Sequence, residues 1–170
     1  HAPGFFFGNG AKNDLFTSEA SRKRYLDIWR MFAERYSSEG GNLIFELLNE
    51  LVWENSDPWN VLWQETAAEI HKISPARRII VGGNFWNSVN ELRNLVLTDD
   101  ERIIYTFHYY EPFIFTHQRA GWMPNMVAYK KPVAYPFDVS EHADFWGDAG
   151  IPAQLRGLDI ADRRALESYL

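Results

Sequence analysis

Hydrophobic and polar positions follow two rhythms along the first two thirds of this chain. From Thr17 to about Ser37, Tyr25, Ile28, Trp29, Phe32, Ala33 and Tyr36 recur at helical spacing, with Thr17 or Ser18 as N-cap and Gly40-Gly41 beyond the end. Asn42 to Glu50 breaks that rhythm, because a nearly unbroken apolar run stops abruptly in Asn49-Glu50. Such a run predicts a strand covered on both faces, as in a parallel sheet between helices, that delivers a carboxylic acid to a rim. The two-residue period places Glu46 and Glu50 on one face, Glu46 deeper and expected to be a buried, hydrogen-bonded structural acid.

Asp57-Pro58 opens a second helix with a capping carboxylate and a proline at the first helical position; Trp59, Leu62, Trp63, Thr66, Ala67 and Ile70 form its buried stripe and Pro75 marks its end. Arg78 to Val81 is a short strand running into Gly82-Gly83-Asn84-Phe85-Trp86-Asn87. Val89, Leu92 and Val96 outline a third helix, and Arg102 to Phe107 a third strand that leads to His108-Tyr109-Tyr110-Glu111-Pro112. Helices alternating with strands imply right-handed crossovers and a parallel sheet, an α/β fold. Residues 112–157, rich in Pro, Trp, Tyr and His, are expected to be a long irregular loop serving as lid or binding surface. A last amphipathic segment runs from about Asp159 to Leu170. With no internal repeat, low-complexity tract or linker, residues 1–170 read as one domain.

Composition narrows the function. The chain's 170 residues, 46% of them hydrophobic, can bury a sizeable core. A net charge of −6 with scattered Lys and Arg argues against a nucleic-acid partner, and Arg22-Lys23-Arg24 reads as a solvated helix face. No apolar run approaches the length of a membrane span, so none is expected. Seven Trp, 8 Tyr and 12 Phe make 16% of the chain, several of them in loops. Aromatic rings stack on the C–H faces of sugars, which suits a carbohydrate cleft; an aromatic partner-binding surface is the other use of such an excess.

The three strands carry polar groups at their C-terminal ends: Asn49 and Glu50, then Asn84 with Trp86, then His108 and Tyr110. Ligands of parallel α/β sheets bind on that rim. Glu50 is the candidate general acid/base of glycoside cleavage, against a strand-end carboxylate that caps the next segment. Asn49 is suited to hold a sugar hydroxyl or to make the turn. His108 and Tyr110, two apart and on one face, can position the carboxylate or bind substrate. Trp86 and Trp122 are candidates for sugar stacking or for core packing. His117 and His142 carry ligand nitrogens, but none of the five His has metal-ligand spacing with a carboxylate, so neither metal nor cofactor is expected. No Gly-x-Gly-x-x-Gly or P-loop follows a strand, which weakens a nucleotide-binding reading.

Leu48-Asn49-Glu50, His108-Tyr109-Tyr110-Glu111-Pro112, Phe115-Thr116-His117-Gln118 and the opening His1-Ala2-Pro3-Gly4 together resemble glycoside hydrolase family 5, the (β/α)8-barrel retaining glycanases typified by endo-β-1,4-glucanases. The resemblance implies that Glu50 is the acid/base, that Asn49 binds a hydroxyl beside it, that His108 and Tyr110 line the cleft, and that His1 belongs to a histidine-rich strand end. It further implies a β-glucan substrate and secretion. The family's nucleophile, in a Gly-Glu-Phe-Gly-like context, has no counterpart in these residues, which resemble a partial TIM barrel, roughly strands three to six. Either a truncated gene or half-barrels that associate would account for this; exposed strand edges lead us to expect a homodimer, with Glu50 of the second subunit, Glu111 or Glu141 as the second carboxylate. A catalytically inactive carbohydrate-binding remnant is the alternative.

Overall fold

The computed structural model describes residues 14–151. His1 with the rest of the opening loop, and the amphipathic segment from Asp159 to Leu170, lie outside the described residues. Two compact units divide the chain between Tyr109 and Tyr110.

In the first unit, α1 (Glu19–Arg35), β1 (Phe45–Glu46), α2 (Asp57–Ile73), β2 (Ile79–Gly82), α3, a single turn whose backbone is left-handed (Asn84–Asn87), a 3-10 helix (Val89–Asn94) and β3 (Ile103–Thr106) follow in order. The three strands are parallel in the order β1-β2-β3, Phe45 beside Ile79 and Ile79 beside Ile103. Ser18 caps α1, its hydroxyl accepting the Ser21 N–H at 3.3 Å. The start of α2 differs from expectation by one residue: Ser56 holds the cap position, Asp57 is the first helical residue and Pro58 the second, still within the first turn where a missing N–H costs nothing.

Both long helices cover the same face of the sheet. Phe45, Leu47, Ile79 and Val81 are buried there with Leu26, Trp59, Leu62, Trp63 and Ile70, and the Trp29 ring lies 5.5 Å from that of Phe45. Each such side chain contributes about 1.5–3 kcal/mol on leaving water. Ion pairs Arg22–Glu65 and Arg30–Glu69 join α1 to α2, so Arg22 belongs to a helix–helix contact rather than to a purely solvated face. The fully buried Tyr25 donates its hydroxyl to the Leu47 carbonyl at 2.9 Å, and burial pushes its pKa far above the usual tyrosine value.

Four expectations need correction. The strand expected over 42–50 has two residues; Leu47 still donates to the Ile80 carbonyl at 3.2 Å, but Leu48 and Leu51 leave the ladder and fill the core. The apolar run therefore reflects packing more than pairing. Glu46 is exposed, not buried: it is in register with Ile80 on the face opposite the helices, where Ile80 and Ile104 are only partly covered and a carboxylate stays solvated. Glu50 lies beyond the strand, so the two-residue period does not relate it to Glu46. The third helix is a six-residue 3-10 turn in which Leu92 packs on the core while Val96, past its end, is exposed.

Arg77 ties the α1–β1 loop to the start of β2. Its buried guanidinium donates to the carbonyls of Tyr36 (2.7 Å), Glu39 (3.0 Å), Gly40 (3.3 Å) and Leu43 (2.6 Å), and lies 4.9 Å from the Phe45 ring centre.

The second unit replaces the expected irregular loop with short helices, α4 (Phe113–Thr116), α5 (Pro124–Ala128) and a 3-10 segment (Val139–Phe145), around Ile114, Val133, Phe137 and Val139. Gln118 pairs with Val133 like a strand, donating to its carbonyl at 2.7 Å and accepting its N–H at 2.8 Å. His142, 3% exposed, sits 2.8 Å from the Tyr129 hydroxyl, which donates to Asp144 at 3.1 Å; burial and that carboxylate push Tyr129 up to about 12. No helix among the described residues is long and apolar enough to cross a membrane.

Candidate active site

The site of the first unit forms where two loops leave the C-terminal ends of β1 and β2. After Gly82-Gly83 the chain passes through Phe85, Trp86 and Asn87 with φ of 45°, 61° and 57°, three successive left-handed residues without a glycine. Each such residue costs roughly 1–2 kcal/mol, so the surroundings must hold it. Asn84, fully buried, supplies part of that hold: its amide donates to the Trp53 carbonyl at 3.0 Å while its oxygen accepts the N–H of Trp53 at 2.9 Å and of Phe85 at 2.8 Å. Trp86 N–H donates to the Leu51 carbonyl at 3.1 Å. These bonds fasten the β2 loop to the β1 loop.

Glu50 is also left-handed, φ 52°. Its backbone N–H donates to Asn87 Oδ1 at 3.2 Å, and its carboxylate oxygen Oε1 lies 2.8 Å from His108 Nδ1. His108 arrives on the extension of β3, its N–H donating to the Asn87 carbonyl at 2.8 Å beside a bridge to Ser88. Asn87 Nδ2 closes the ring at 3.4 Å from His108 Nε2. A carboxyl group, an imidazole and an amide thus interlock at the strand ends, with the carboxyl side chain partly open to solvent. Such a carboxyl can give and take a proton while its backbone stays fixed.

Room for Asn87 comes from Gly82. A Cβ there would stand 2.2 Å from Asn87 Nδ2 and 2.5 Å from its Cγ. Gly82→Ala is expected to cost about 1–3 kcal/mol of stability through this overlap. Urea unfolding of the single variants and the Gly82→Ala/Asn87→Ala double variant checks it: the double should recover part of the loss, and strict additivity would dismiss the clash.

Glu50 and His108 are brought together as the sequence suggested. Asn49 sits exposed on the same turn. Trp86 is 46% exposed with Phe85 beside it, ring centres 6.5 Å apart, so Trp86 is not a core residue. Tyr110 and Trp122 fall in the second unit, gathered around His117: Tyr110 at 5.1 Å, Phe113 at 4.8 Å and the 75% exposed Trp122 at 6.4 Å between ring centres. Burial raises the Glu111 carboxyl pKa above its ordinary value, opposed by the Phe113 N–H it accepts and by His117. Among the described residues no group of three His, Cys, Asp or Glu could hold a metal ion. Sequence reasoning did not single out Asn87. Its one local signal is that asparagine tolerates the left-handed backbone better than most residues.

Residues 8–156 match the family model of the cellulases, glycosyl hydrolase family 5. Endoglucanase C of Acetivibrio thermocellus is 45% identical over 136 residues, 80% of this chain and 40% of that protein. Cellodextrinase A of Ruminococcus flavefaciens is 34% identical over 126 residues, 73% and 38% of the two chains. Among solved structures, endoglucanase Cel5A from Thermotoga maritima superposes with a TM-score of 0.65 at 30% identity, over 78% of this chain and 44% of that one. The chain thus spans about two fifths of the length of these relatives, and its parallel strands with their helical crossovers correspond to a sector of the (β/α)8 barrel. On the extent of that family match, the chain belongs to glycosyl hydrolase family 5, the cellulase family.

Proposed function

We propose that the chain serves the hydrolysis of β-1,4-linked glucan, with Glu50 as general acid/base. The observation that carries this reading is the Glu50–His108 hydrogen bond of 2.8 Å at the C-terminal ends of parallel strands, on a backbone pinned by Asn87. In a retaining mechanism Glu50 protonates the glycosidic oxygen and then activates water, while a second carboxyl group about 5–5.5 Å away attacks the sugar. Glu111, Glu141 or Glu50 of a second copy are the candidates for that group. His108 orients the Glu50 carboxyl within the cleft, Asn49 and Tyr110 hold sugar hydroxyls, Trp86 and Trp122 stack on sugar faces, and His1 joins them from the opening segment. One solved relative supports the substrate class: Thermotoga maritima Cel5A has been captured with cellobiose, a glucan fragment, and also with mannotriose.

The deciding experiment is hydrolysis of a soluble cellulosic substrate by the chain and by its Glu50→Gln variant; equal turnover overturns the assignment. One observation favours a second reading, a carbohydrate-binding role without turnover: the rings of Trp86 and Trp122 are 46% and 75% exposed, and stacking on sugars needs no second carboxyl group. Cello-oligosaccharide binding in calorimetry with no release of reducing sugar selects that reading. Because β1 and β3 each have a single neighbour among the described strands, we also propose self-association through strand edges, most simply as a twofold dimer. Light scattering should return twice the chain mass, and a monomer mass at every concentration refutes it.

A further inference from the structure

Asn87 decides where the hydrogen of His108 resides. A backbone N–H only donates, so the Asn87 atom 3.2 Å from the Glu50 nitrogen is its carbonyl oxygen. The amide nitrogen, which has hydrogens to give and accepts nothing, therefore faces His108 Nε2 at 3.4 Å. An imidazole nitrogen opposite a donor presents its lone pair. The ring hydrogen then sits on Nδ1, 2.8 Å from Glu50 Oε1, and is donated to the carboxylate. Moving it to Nε2 sets two donors against each other and points an Nδ1 lone pair at the carboxylate. Asn87 cannot relieve this by turning its amide over, because the Glu50 N–H would then meet a donor, and the fully buried side chain is confined by Gly82. Among the described residues, Glu50 faces His108 from the turn after β1 and the uncharged Asn87 amide faces it from the loop after β2.

We propose that Asn87 is a positioning residue that locks His108 as the Nδ1–H tautomer, so that the imidazole donates to Glu50 Oε1 and leaves Oε2 to carry the proton exchanged with substrate. The tautomer follows from the hydrogen bonds alone; its use in catalysis rests on the reading of Glu50 as acid/base. This division of labour explains why an uncharged amide occupies a buried position between two titratable groups. An acid of the same shape would accept from both neighbours and draw the ring hydrogen the other way.

Imidazole nitrogen NMR of the 15N-labelled chain at mildly alkaline pH reads the tautomer without turnover, His108 being assigned by the signal lost in His108→Asn. The expected wild-type pattern is a protonated Nδ1 and a bare Nε2. Asn87→Asp keeps an acceptor for the Glu50 N–H but places another opposite Nε2, so Nε2 should gain a hydrogen. Asn87→Ala, which removes both contacts, should give a mixture. A wild-type His108 protonated at Nε2, or a wild-type pattern unchanged in either variant, overturns the proposal. The two readings fail separately: continued hydrolysis by Glu50→Gln removes the catalytic role but leaves the tautomer result standing, whereas an inactive Glu50→Gln with an Nε2–H wild type removes only the role of Asn87.

Discussion

Glu50→Gln is expected to lower kcat on a soluble cellulosic substrate by roughly 10²–10⁴-fold, the usual worth of a positioned general acid/base. Glutamine matches glutamate in shape. The backbone N–H of residue 50 still meets Asn87 Oδ1, and an amide oxygen still accepts from His108 Nδ1, so the loop keeps its hydrogen bonds. What disappears is the exchangeable proton. The loss should therefore fall on kcat with little change in KM, the signature of an interaction made chiefly in the transition state. Thermal unfolding within a degree or two of wild type establishes that the fold is intact. A tenfold drop or less, with the fold preserved, would assign the proton transfer to another group.

Arg77→Met is expected to lower stability by about 3 kcal/mol in urea unfolding. Methionine approximates the aliphatic stem and can still lie against Phe45, but it donates nothing to the carbonyls of Tyr36, Glu39, Gly40 and Leu43. Hydrogen bonds from a charged donor contribute about 1.5–3 kcal/mol each. Their sum is discounted because Glu39 and Gly40 are exposed and water can replace the guanidinium there, and because removing the charge relieves its own desolvation. Arg77→Lys should recover little, since a single ammonium cannot span four acceptors that a planar fork reaches together. A loss below about 1 kcal/mol for Met would mean that water satisfies all four carbonyls.

The long helices were legible because their signals are local. Ser18, the Tyr25–Tyr36 stripe and the Trp59–Ile70 stripe each state a face and a boundary within a few turns, and the alternation of helix with strand was enough for the parallel direction of the three strands. Glu50 and His108 were legible as polar residues ending apolar runs. The extent of β1 was not, because a leucine buried from a loop, as Leu48 and Leu51 are, looks in sequence like a leucine buried from a ladder. The misplacement of Glu46 has the same root: apolar neighbours do not say whether the second face of a strand has a cover. The order in the second unit depends on Gln118 meeting Val133 across 15 positions, which no periodicity announces. Asn87 escaped for a geometric reason. Its role requires the left-handed path through Phe85 and Trp86 and the missing side chain at Gly82, none of which a residue type states by itself.

The left-handed run from Phe85 to Asn87 also shapes how this protein can change over generations. Glycine at position 85 or 86 would relax the backbone there, so selection for thermal robustness alone pulls toward losing these two exposed rings. Improvement in robustness and retention of the sugar-stacking role proposed for Trp86 oppose each other at this turn. Stabilising changes that leave the chemistry untouched are more readily found elsewhere, for example on the solvent-facing sides of α1 and α2, where helix propensity can be raised without touching the loops.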